Sequence, residues 1–332
     1  MISTEGDPHS VLVTGAAGFI GSSLVERLLA QGHFVIGVDN LSRGSRANLE
    51  SALRNPRFRF FEEDLTNEHR YRALVSGFPI HTVWHMAANS DIGAGGADPK
   101  VDLRDTFQTT FNTLLVMRDT GIRRILFASS SAIYGVYDGV LSEESGPLFP
   151  ISNYGAMKLA SEALISAAVE TFIERAWIFR FPNVIGPRAT HGIIFDLLKK
   201  LQYNPPDLEV LGDGRQQKPY LHVSELIDAI LFLSKRSSDP MNCFNIGPAD
   251  EGVTVREIAE TVQSIAAPSI PIRFTGGSKG WAGDVPRFQY SIARIKALGW
   301  SPRLSSAEAV RRAVAEVYNE FHSPAREALC SL

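Results

Sequence analysis

A tyrosine and a lysine four residues apart are the pair in this sequence best suited to moving a proton. Tyr154 and Lys158 begin a segment predicted as a helix that runs to about Glu174, so the spacing places both side chains on one face. A phenol with its ordinary pKa of about 10 is a poor base at neutral pH, but a neighbouring ammonium favours the phenolate. The pair predicts removal of a proton from a hydroxyl group. Alone, such a pair is more typical of an ordinary surface helix, so this interpretation depends on the rest of the chain.

A run of serines lies upstream, at the end of a predicted strand. The strand Arg123–Ala128 is followed directly by Ser129, Ser130 and Ser131. The carboxyl end of a strand in an open α/β sheet is where such folds bind ligands. We therefore expect a serine here to hydrogen-bond the same hydroxyl oxygen as Tyr154.

Removing a hydroxyl proton oxidises the carbon only if a hydride acceptor is present, and a glycine-rich turn near the start of the chain predicts one. Val11–Val13 is a short apolar run typical of a strand buried on both faces, and Gly15, Gly18 and Gly21 follow it. The glycines permit a tight turn, close approach of the backbone to a ligand, and packing of the predicted helix Gly21–Gln31. The helix N-terminus then faces a pyrophosphate. The pattern predicts a dinucleotide site.

A second apolar strand ends in an acid at the distance this motif requires. Phe34–Asp39 places a carboxylate about 20 residues beyond the glycines. Asp39 there accepts from the ribose 2′-hydroxyl and repels a 2′-phosphate, so the sequence favours NAD over NADP. Arg43 and Arg46 keep NADP as the second choice.

The third predicted strand, Phe58–Phe61, is also followed by an acid, Asp64. One interpretation is that the Asp64 carboxylate accepts from the exocyclic amine of the adenine. The other is that Asp64 caps the helix that follows. The residues favour neither.

Further along, the alternation of strands and helices defines the fold class. The predicted strand Thr82–Ala88 ends in the small residues Ala87 and Ala88, against which a cofactor can lie. Ile92–Pro99 is glycine-rich and is predicted as a loop, and Val101–Thr120 as a helix. The repeated β-α alternation predicts an α/β fold with a doubly wound parallel sheet of Rossmann type.

Composition excludes several classes of function. The formal net charge is −3 without a long run of Lys or Arg, which disfavours a nucleic-acid partner. No apolar run approaches the ~20 residues of a bilayer span, and the first residues do not resemble a signal peptide, so we expect a cytoplasmic protein without a membrane partner. Cys243 and Cys330 stand alone, so neither a disulfide nor a metal site is predicted.

Taken with several later motifs, these segments resemble the extended short-chain dehydrogenase/reductase family, and within it the nucleotide-sugar epimerases and dehydratases. The resemblance covers about residues 10 to 318. It rests on Thr14–Gly21, Asp39-Asn40, Asp64-Leu65, His85–Ala88, Ser130–Gly135, Tyr154 with Lys158, Arg180–Arg188 and Leu211–Gly214. The family's catalytic set then implies Ser130, Tyr154 and Lys158 here. The cofactor NAD is implied to contact Gly15, Gly18, Phe19, Ile20, Gly21, Asp39, Asn40, Asp64, Leu65, Ala87, Ala88, Tyr154 and Lys158.

The residues after Ser130 favour an epimerase within this family. Nucleotide-sugar 4,6-dehydratases typically carry an acid pair or a single Glu there, whereas this chain has Ser131 and Ala132. Elimination needs an acid and base beyond the oxidising tyrosine. The resemblance therefore implies epimerisation at C4 through a transient 4-keto sugar. A dehydrogenase or 4,6-dehydratase of the same family is the alternative, and a non-catalytic NAD-binding regulatory protein is a second one.

The resemblance also implies which residues contact a nucleotide-sugar substrate. Ser130, Ser131 and Asn183 are implied to contact the sugar and its phosphates. The family places an arginine at Lys218 and another at Trp281, and both are altered here. Lysine keeps the charge without the bidentate fork, and tryptophan loses the charge. Candidates to compensate are Arg188, Arg215 and Lys279.

Family members are organised in two domains, and this implies a division of the chain. We expect an NAD-binding domain at residues 1–182 and a smaller α/β substrate lobe at 183–332, with about 220–247 returning to the first. Thr106 stands where many family members have Asn, which indicates a specialised branch. Helices at about 101–119 and 153–172 commonly form a dimer bundle in this family, so a homodimer is implied.

Overall fold

The computed structural model of the chain describes residues 9–137, 139–277, 285 and 287–322. Its strands are β1 (Ser10–Thr14), β2 (Phe34–Asp39), β3 (Phe58–Glu62), β4 (Thr82–His85), β5 (Arg124–Ala128), β6 (Val140–Leu141), β7 (Arg175–Arg180), β8 (Asn183–Ile185), β9 (Leu208–Val210), β10 (Gln217–Lys218), β11 (Tyr220–His222), β12 (Met241–Asn245), β13 (Val253–Thr254), β14 (Ile272–Phe274) and β15 (Gln289–Tyr290). Its α-helices are α1 (Phe19–Ala30), α2 (Glu50–Leu53), α3 (Glu68–Ser76), α4 (Ile92–Ala97), α5 (Pro99–Asp102), α6 (Thr109–Thr120), α7 (Asn153–Val169), α8 (Ile193–Leu201), α9 (Val223–Arg236), α10 (Val255–Ala266), α11 (Ala293–Ala297) and α12 (Ser306–Phe321). Short 3₁₀ turns lie at Arg46–Leu49 and Ser131–Tyr134, and a π-helical segment at Leu103–Gln108.

The chain divides into two compact units. The first contains the residues up to Gly135, Glu143–Phe181 and Ile227–Asn245. The second contains Val136–Ser142, Pro182–Leu226 and the residues from Ile246 onward. The division into domains at residues 1–182 and 183–332, with about 220–247 returning to the first, stays a prediction.

A seven-stranded parallel sheet forms the centre of the first unit. Its strand order is β12-β7-β5-β4-β1-β2-β3, and each neighbouring pair is parallel. The strands are short apolar runs because helices cover both faces of a parallel sheet. Since β1 lies between β2 and β4, the order reverses there, and the carboxyl end of β1 is the switch point where such sheets bind ligands. The predicted doubly wound Rossmann-type fold is confirmed.

Each unit has its own apolar core. In the first, Leu12, Val83 and Ile125 from adjacent strands are fully buried and pack in one cluster with residues of the flanking helices. In the second, α8, α10 and α12 bury their apolar faces together, as Ile258 and Val314 illustrate. Both α10 and α12 begin with a capping box, in which a Ser or Thr side chain and a Glu three residues later satisfy the first backbone N–H groups.

Two helix predictions are wrong. The segment 92–99, predicted as a loop, contains α4, because the Asp91 side chain accepts from the backbone N–H of Ala94 at 2.9 Å and caps the helix despite its glycines. The helix that begins with Asn153 ends at Val169 rather than near Glu174. Within the described ranges, none of the helices has both the length and the apolar composition to cross a bilayer.

His85 at the end of β4 is held as a neutral ring. Its Nδ1 lies 2.7 Å from Thr14 Oγ1 and its Nε2 3.1 Å from Thr110 Oγ1, so the imidazole joins β1, β4 and α6. The ring is fully buried, and this burial lowers the pKa of His85 to about 3. In the unfolded chain, His85 regains its ordinary pKa and therefore binds a proton much more readily.

This shift makes the stability depend on pH in one direction. Between the folded pKa of about 3 and the ordinary value of 6.5 the unfolded chain binds the proton and the folded chain does not, so the free energy of unfolding falls as the pH falls. The slope from His85 alone approaches about 1.4 kcal/mol per pH unit. We expect His85→Gln to make the slope shallower between about pH 4 and 6 in urea denaturation. His69→Gln, at an exposed position of α3, is the control, and equal slopes for the His85 variant and the wild type would contradict this account.

The glycine turn after β1 sets a strict steric limit. Gly15 has a φ of +65°, and a Cβ added to Gly21 would lie 1.9 Å from the Gly15 carbonyl oxygen, which is backbone. Because neither atom has room to move away, we expect Gly21→Ala to lower the free energy of unfolding by about 2–4 kcal/mol. A Cβ on Gly96 in α4 meets nothing within 4 Å, so Gly96→Ala should stabilise by about 0.5–1 kcal/mol. Guanidinium denaturation measures both changes, and equal midpoints for Gly21→Ala and Gly96→Ala would count against the steric argument.

Candidate active site

The glycine turn forms a cradle without side chains at the switch point of the sheet. Gly18 is the N-cap of α1, and no described side chain caps this helix, so its first backbone N–H groups are available to an anion. Phe19 and Ile20 form the first turn of the helix. A Cβ on Gly15 would lie 2.8 Å from the backbone nitrogen of Ala87, which shows how closely the end of β4 approaches the turn. This cradle fits the pyrophosphate of a dinucleotide.

Asp39 fixes the shape of that turn. One carboxylate oxygen accepts from the backbone N–H of Ala17 at 2.9 Å and the other from that of Leu41 at 2.8 Å. Burial raises the pKa of this carboxyl, and the backbone donors oppose the rise. A carboxylate has lone pairs left for a ribose hydroxyl. Next to it, the side-chain oxygen of Asn40 accepts from Ser42.

The residues after β3 settle one alternative at Asp64. Its Oδ1 accepts from the backbone N–H of Thr66 at 2.8 Å and from the hydroxyl of Thr66 at 2.7 Å, which closes a local turn. The N-cap of α3 is Asn67 instead, so the helix-cap interpretation of Asp64 is wrong. Leu65 is buried, and its carbonyl accepts from the side chain of Asn112. Contact of Asp64 and Leu65 with adenine stays a prediction.

Two small residues follow β4 as the sequence indicates. The backbone N–H of Ala87 donates to Thr14 Oγ1 at 3.3 Å, which joins the ends of β4 and β1, and Ala88 follows it. The small side chains leave the backbone accessible to a flat ring.

Ser130 and Tyr154 meet at the end of β5. The Ser130 side chain acts on the Tyr154 phenol and lowers its pKa, and Ser130 Oγ itself accepts from the backbone N–H of Ala132 at 3.1 Å. Burial has the larger and opposite effect, and raises the pKa of Tyr154 to about 12. A Cβ on Gly155 would lie 2.4 Å from the Ala132 carbonyl, so only glycine lets α7 begin this close to the serine segment. Ser131 opens the 3₁₀ turn beside Ser130.

Lys158 lies one turn further along α7 and is 2% exposed. Its Nζ donates to the carbonyl of Ala128 at 2.5 Å and lies 4.7 Å from the ring centroid of Phe127 and 5.8 Å from that of Tyr154. Burial lowers the pKa of this ammonium to about 7, while the carboxylates of Glu162 and Asp102 raise it. The ionisation of Lys158 at neutral pH therefore depends on those two acids.

The sequence interpretation missed both acids. Glu162 lies one further turn along α7, where Ser129 Oγ donates to it and Arg180 forms a buried ion pair with it at 2.7 Å. Tyr154, Lys158 and Glu162 recur every four residues, and that spacing was the available signal. Asp102 on α5 is fully buried. Its sequence pattern is weaker, since it consists of a four-residue spacing to Thr106.

The remaining candidates belong to the second unit. Asn183 begins β8 and is exposed, and Lys218 lies in β10, which pairs with β13. Arg188 has a positive φ of 70°, and its backbone N–H donates to the Glu320 carboxylate. Arg215 is exposed in the loop before β10. The altered position Trp281 and the candidate Lys279 lie outside the described residues.

Known proteins resemble this chain in sequence and in fold. The model of the NAD dependent epimerase/dehydratase family matches residues 11–247. The UDP-glucose 4-epimerase of Mycolicibacterium smegmatis is 30% identical over 312 residues, covering 91% of this chain and 96% of that protein. A solved UDP-galactose 4-epimerase is 35% identical with a TM-score of 0.83, covering 94% of this chain and 99% of that one. The UDP-glucose 4-epimerase of Thermus thermophilus, solved in complex with NAD, is 28% identical with a TM-score of 0.82, covering 92% and 98%.

The family match spans well over half of the chain and includes the glycine turn, the serine segment, and both Tyr154 and Lys158. The chain therefore belongs to the NAD-dependent epimerase/dehydratase family, and it is an NAD-dependent enzyme of that family.

Proposed function

We propose that this enzyme epimerises a nucleoside-diphosphate sugar at C4 through a transient 4-keto sugar. The observation that carries the proposal is that Lys158 Nζ lies 5.8 Å from the ring centroid of Tyr154, one helical turn away, while Ser130 acts on the Tyr154 phenol. This set holds a base and a donor on one hydroxyl oxygen, which is what reversible oxidation of a secondary alcohol requires.

Each residue has a distinct part in the proposed cycle. When bound, NAD supplies the hydride acceptor and the positive ring charge that favours a phenolate nearby. Tyr154 then takes the proton of the C4 hydroxyl, and Ser130 donates a hydrogen bond to the same oxygen. Lys158 favours the phenolate and is positioned to hold the ribose. After the keto sugar has turned, Tyr154 returns the proton to the oxygen, and because the hydride that NAD would accept also returns to C4, no net oxidation occurs.

The residues next to Ser130 favour epimerisation over elimination. A 4,6-dehydratase needs an acid and a base that remove the C5 proton and assist loss of the C6 hydroxyl. Ser131 and Ala132 occupy the corresponding positions and carry no ionisable side chain. The 4-keto sugar consequently has no route to water loss through these residues.

For the substrate we propose a uridine diphosphate sugar. The relatives compared above are UDP-glucose and UDP-galactose 4-epimerases. On the second unit, Asn183 and Lys218 are the residues we propose to contact the diphosphate, with Arg188 and Arg215 as further cations. On the first unit, we propose that Ser131 contacts the sugar. A lysine at position 218 supplies charge without a bidentate geometry.

We further propose a homodimer formed through the helical segment that contains α6. Leu103, Phe107 and Phe111 recur every four residues along the π-helical segment and α6 and so share a face. Leu103 is 51% exposed and Phe111 is 43% exposed, which is unusual for such large apolar side chains unless a second copy covers them.

The reaction is tested by incubating the protein without added NAD with UDP-glucose, UDP-N-acetylglucosamine and their galacto epimers. We expect proton NMR of the anomeric signals to show interconversion, because the cofactor is regenerated in each turnover. Tyr154→Phe should lower the rate by about 10²–10⁴-fold, since it removes the only proton acceptor of the cycle, and should keep bound NAD.

The matched control is Tyr203→Phe, which removes a phenol hydroxyl from a residue that is 77% exposed. It should leave the rate unchanged. Undiminished interconversion by Tyr154→Phe, or release of a keto sugar by the wild type, would rule out the proposed cycle.

The dimer is tested by light scattering coupled to size-exclusion chromatography. We expect the wild type to have twice the mass of one chain, and Phe111→Asp to have the mass of one chain, because a carboxylate at that face is not buried without a partner. Leu53→Asp is the control, since Leu53 is 40% exposed on α2, away from that face. A wild type with the mass of a single chain refutes this assembly.

A further inference from the structure

Asp102 is a buried acid that the proposed cycle leaves without a part. It ends α5, its side chain is fully buried, and its Oδ1 accepts from the Asn89 side chain at 2.8 Å. Asn89 is fixed in turn, because its backbone N–H donates to Thr106 Oγ1 at 3.2 Å and its amide also donates to the Asp91 carbonyl. The carboxyl group is therefore held in one orientation.

The second oxygen of this group lacks a hydrogen-bond partner. Asp102 Oδ2 is buried, and no described group donates to it. A Cβ added to Gly95 would lie 1.7 Å from this oxygen, so the glycine in α4 leaves the space that the carboxyl occupies. A buried carboxylate without a full set of donors is costly unless a positive charge lies near it.

The source of such a charge is Lys158. The π-helical segment after Asp102 packs against α7, and the charges of Asp102 and Lys158 act on each other. The other titratable groups that act on Asp102 are the acids Asp91 and Asp105, and the charge of Asp102 itself raises the pKa of the Tyr154 phenol. Burial raises the pKa of Asp102, and Lys158 is the cation that opposes this rise and so favours an ionised Asp102.

Lys158 in turn needs an acid that is not already paired with another cation. The titratable groups that face Lys158 are Tyr154 and Glu162 on its own helix, Asp102 on α5 and His85 on β4. Burial keeps His85 neutral, and Glu162 already forms a bidentate contact with Arg180, whose Nε and Nη2 both donate to it. One acid neutralises one buried cation, so the second cation needs a second acid.

We propose that Asp102 is the counter-ion that keeps buried Lys158 as an ammonium, and that it is thereby a positioning residue for the Tyr154 phenolate. The buried charges around α7 then form two pairs, Arg180 with Glu162 and Lys158 with Asp102. The part of Asp102 in turnover rests on the proposed function, whereas the ionisation of Lys158 is measurable without turnover.

The test is the titration of Lys158 in the whole protein, followed by the ¹³Cε signal of labelled lysine and identified by its absence from Lys158→Arg. Asp102→Asn keeps the size of the side chain and an oxygen for Asn89. We expect it to lower the titration midpoint of Lys158 by about one pH unit or more. The high-pH limb of kcat should move to lower pH by the same amount, with the KM for the nucleotide sugar unchanged, so that kcat near neutral pH falls by about tenfold.

The control is Asp105→Asn, three residues further along, where the carboxylate pairs with Arg104 at the surface. It should leave the Lys158 midpoint in place. An equal midpoint in Asp102→Asn and the wild type overturns the proposal even if turnover is lost, because a lost rate alone reports altered packing.

A measurement on the wild type covers the case in which Asp102→Asn does not fold. The ¹³Cγ signal of Asp102 should show an ionised carboxylate at neutral pH, and a neutral carboxyl there overturns the proposal. If the wild type converts none of the sugars offered, the proposed function fails, while the two NMR signals still decide the part of Asp102.

Discussion

The arrangement around α7 depends on one constraint, which is that a lysine ammonium is held out of water. Lys158 is 2% exposed and has an apolar ring, that of Phe127, against its charge. The desolvation of an ammonium is costly unless hydrogen bonds and opposite charges replace the lost water. The end of β5 supplies one such group, because the carbonyl of Ala128, the last residue of the strand, accepts from Nζ. This contact helps to fix the position of the serine segment relative to α7.

The same constraint explains why the neighbourhood is rich in buried polar groups that are fixed by one another. Arg180 at the end of β7 donates to Glu162 and to the Tyr134 hydroxyl, and Tyr134 donates to the Asn245 side chain at 2.7 Å. The ends of β5, β7 and β12 are thereby joined to α7 by polar contacts in addition to apolar packing. Removing one member leaves its partner buried and unpaired, which costs more than the pair contributes. We infer that this network limits the positions that Ser130 and Tyr154 adopt.

Sequence patterns predicted the sheet well and the acids around the lysine poorly. Phe34–Asp39 is as predicted, because its apolar run and the acid that ends it agree there. The helix at Ile92–Ala97 was missed, because its glycines suggest a loop while a side-chain cap and packing against Asp102 decide the structure. Neither Asp102 nor Glu162 was identified, since periodicity shows which face a residue occupies but not which distant segment covers that face. The serine, tyrosine and lysine could be proposed from the sequence because their chemistry is encoded by residue type and short spacing, and their roles stay predictions.

The residues proposed for proton transfer and those proposed to contact the diphosphate lie in different units of the chain. The proposed proton-transfer residues Ser130, Tyr154 and Lys158 all belong to the first unit, as do the glycine turn and Asp39. The residues proposed to contact the diphosphate, including Asn183 and Lys218, all belong to the second. The first set is built on strand ends and on a helix that a buried charge network holds in place, so a substitution there disturbs folding and chemistry together.

Lys218 lies in a two-residue strand, and replacing an arginine by a lysine there preserves charge while removing a planar pair of donors. Such a position can change without disturbing the proton-transfer set, so a change of substrate within one reaction type is expected to arise in the second unit.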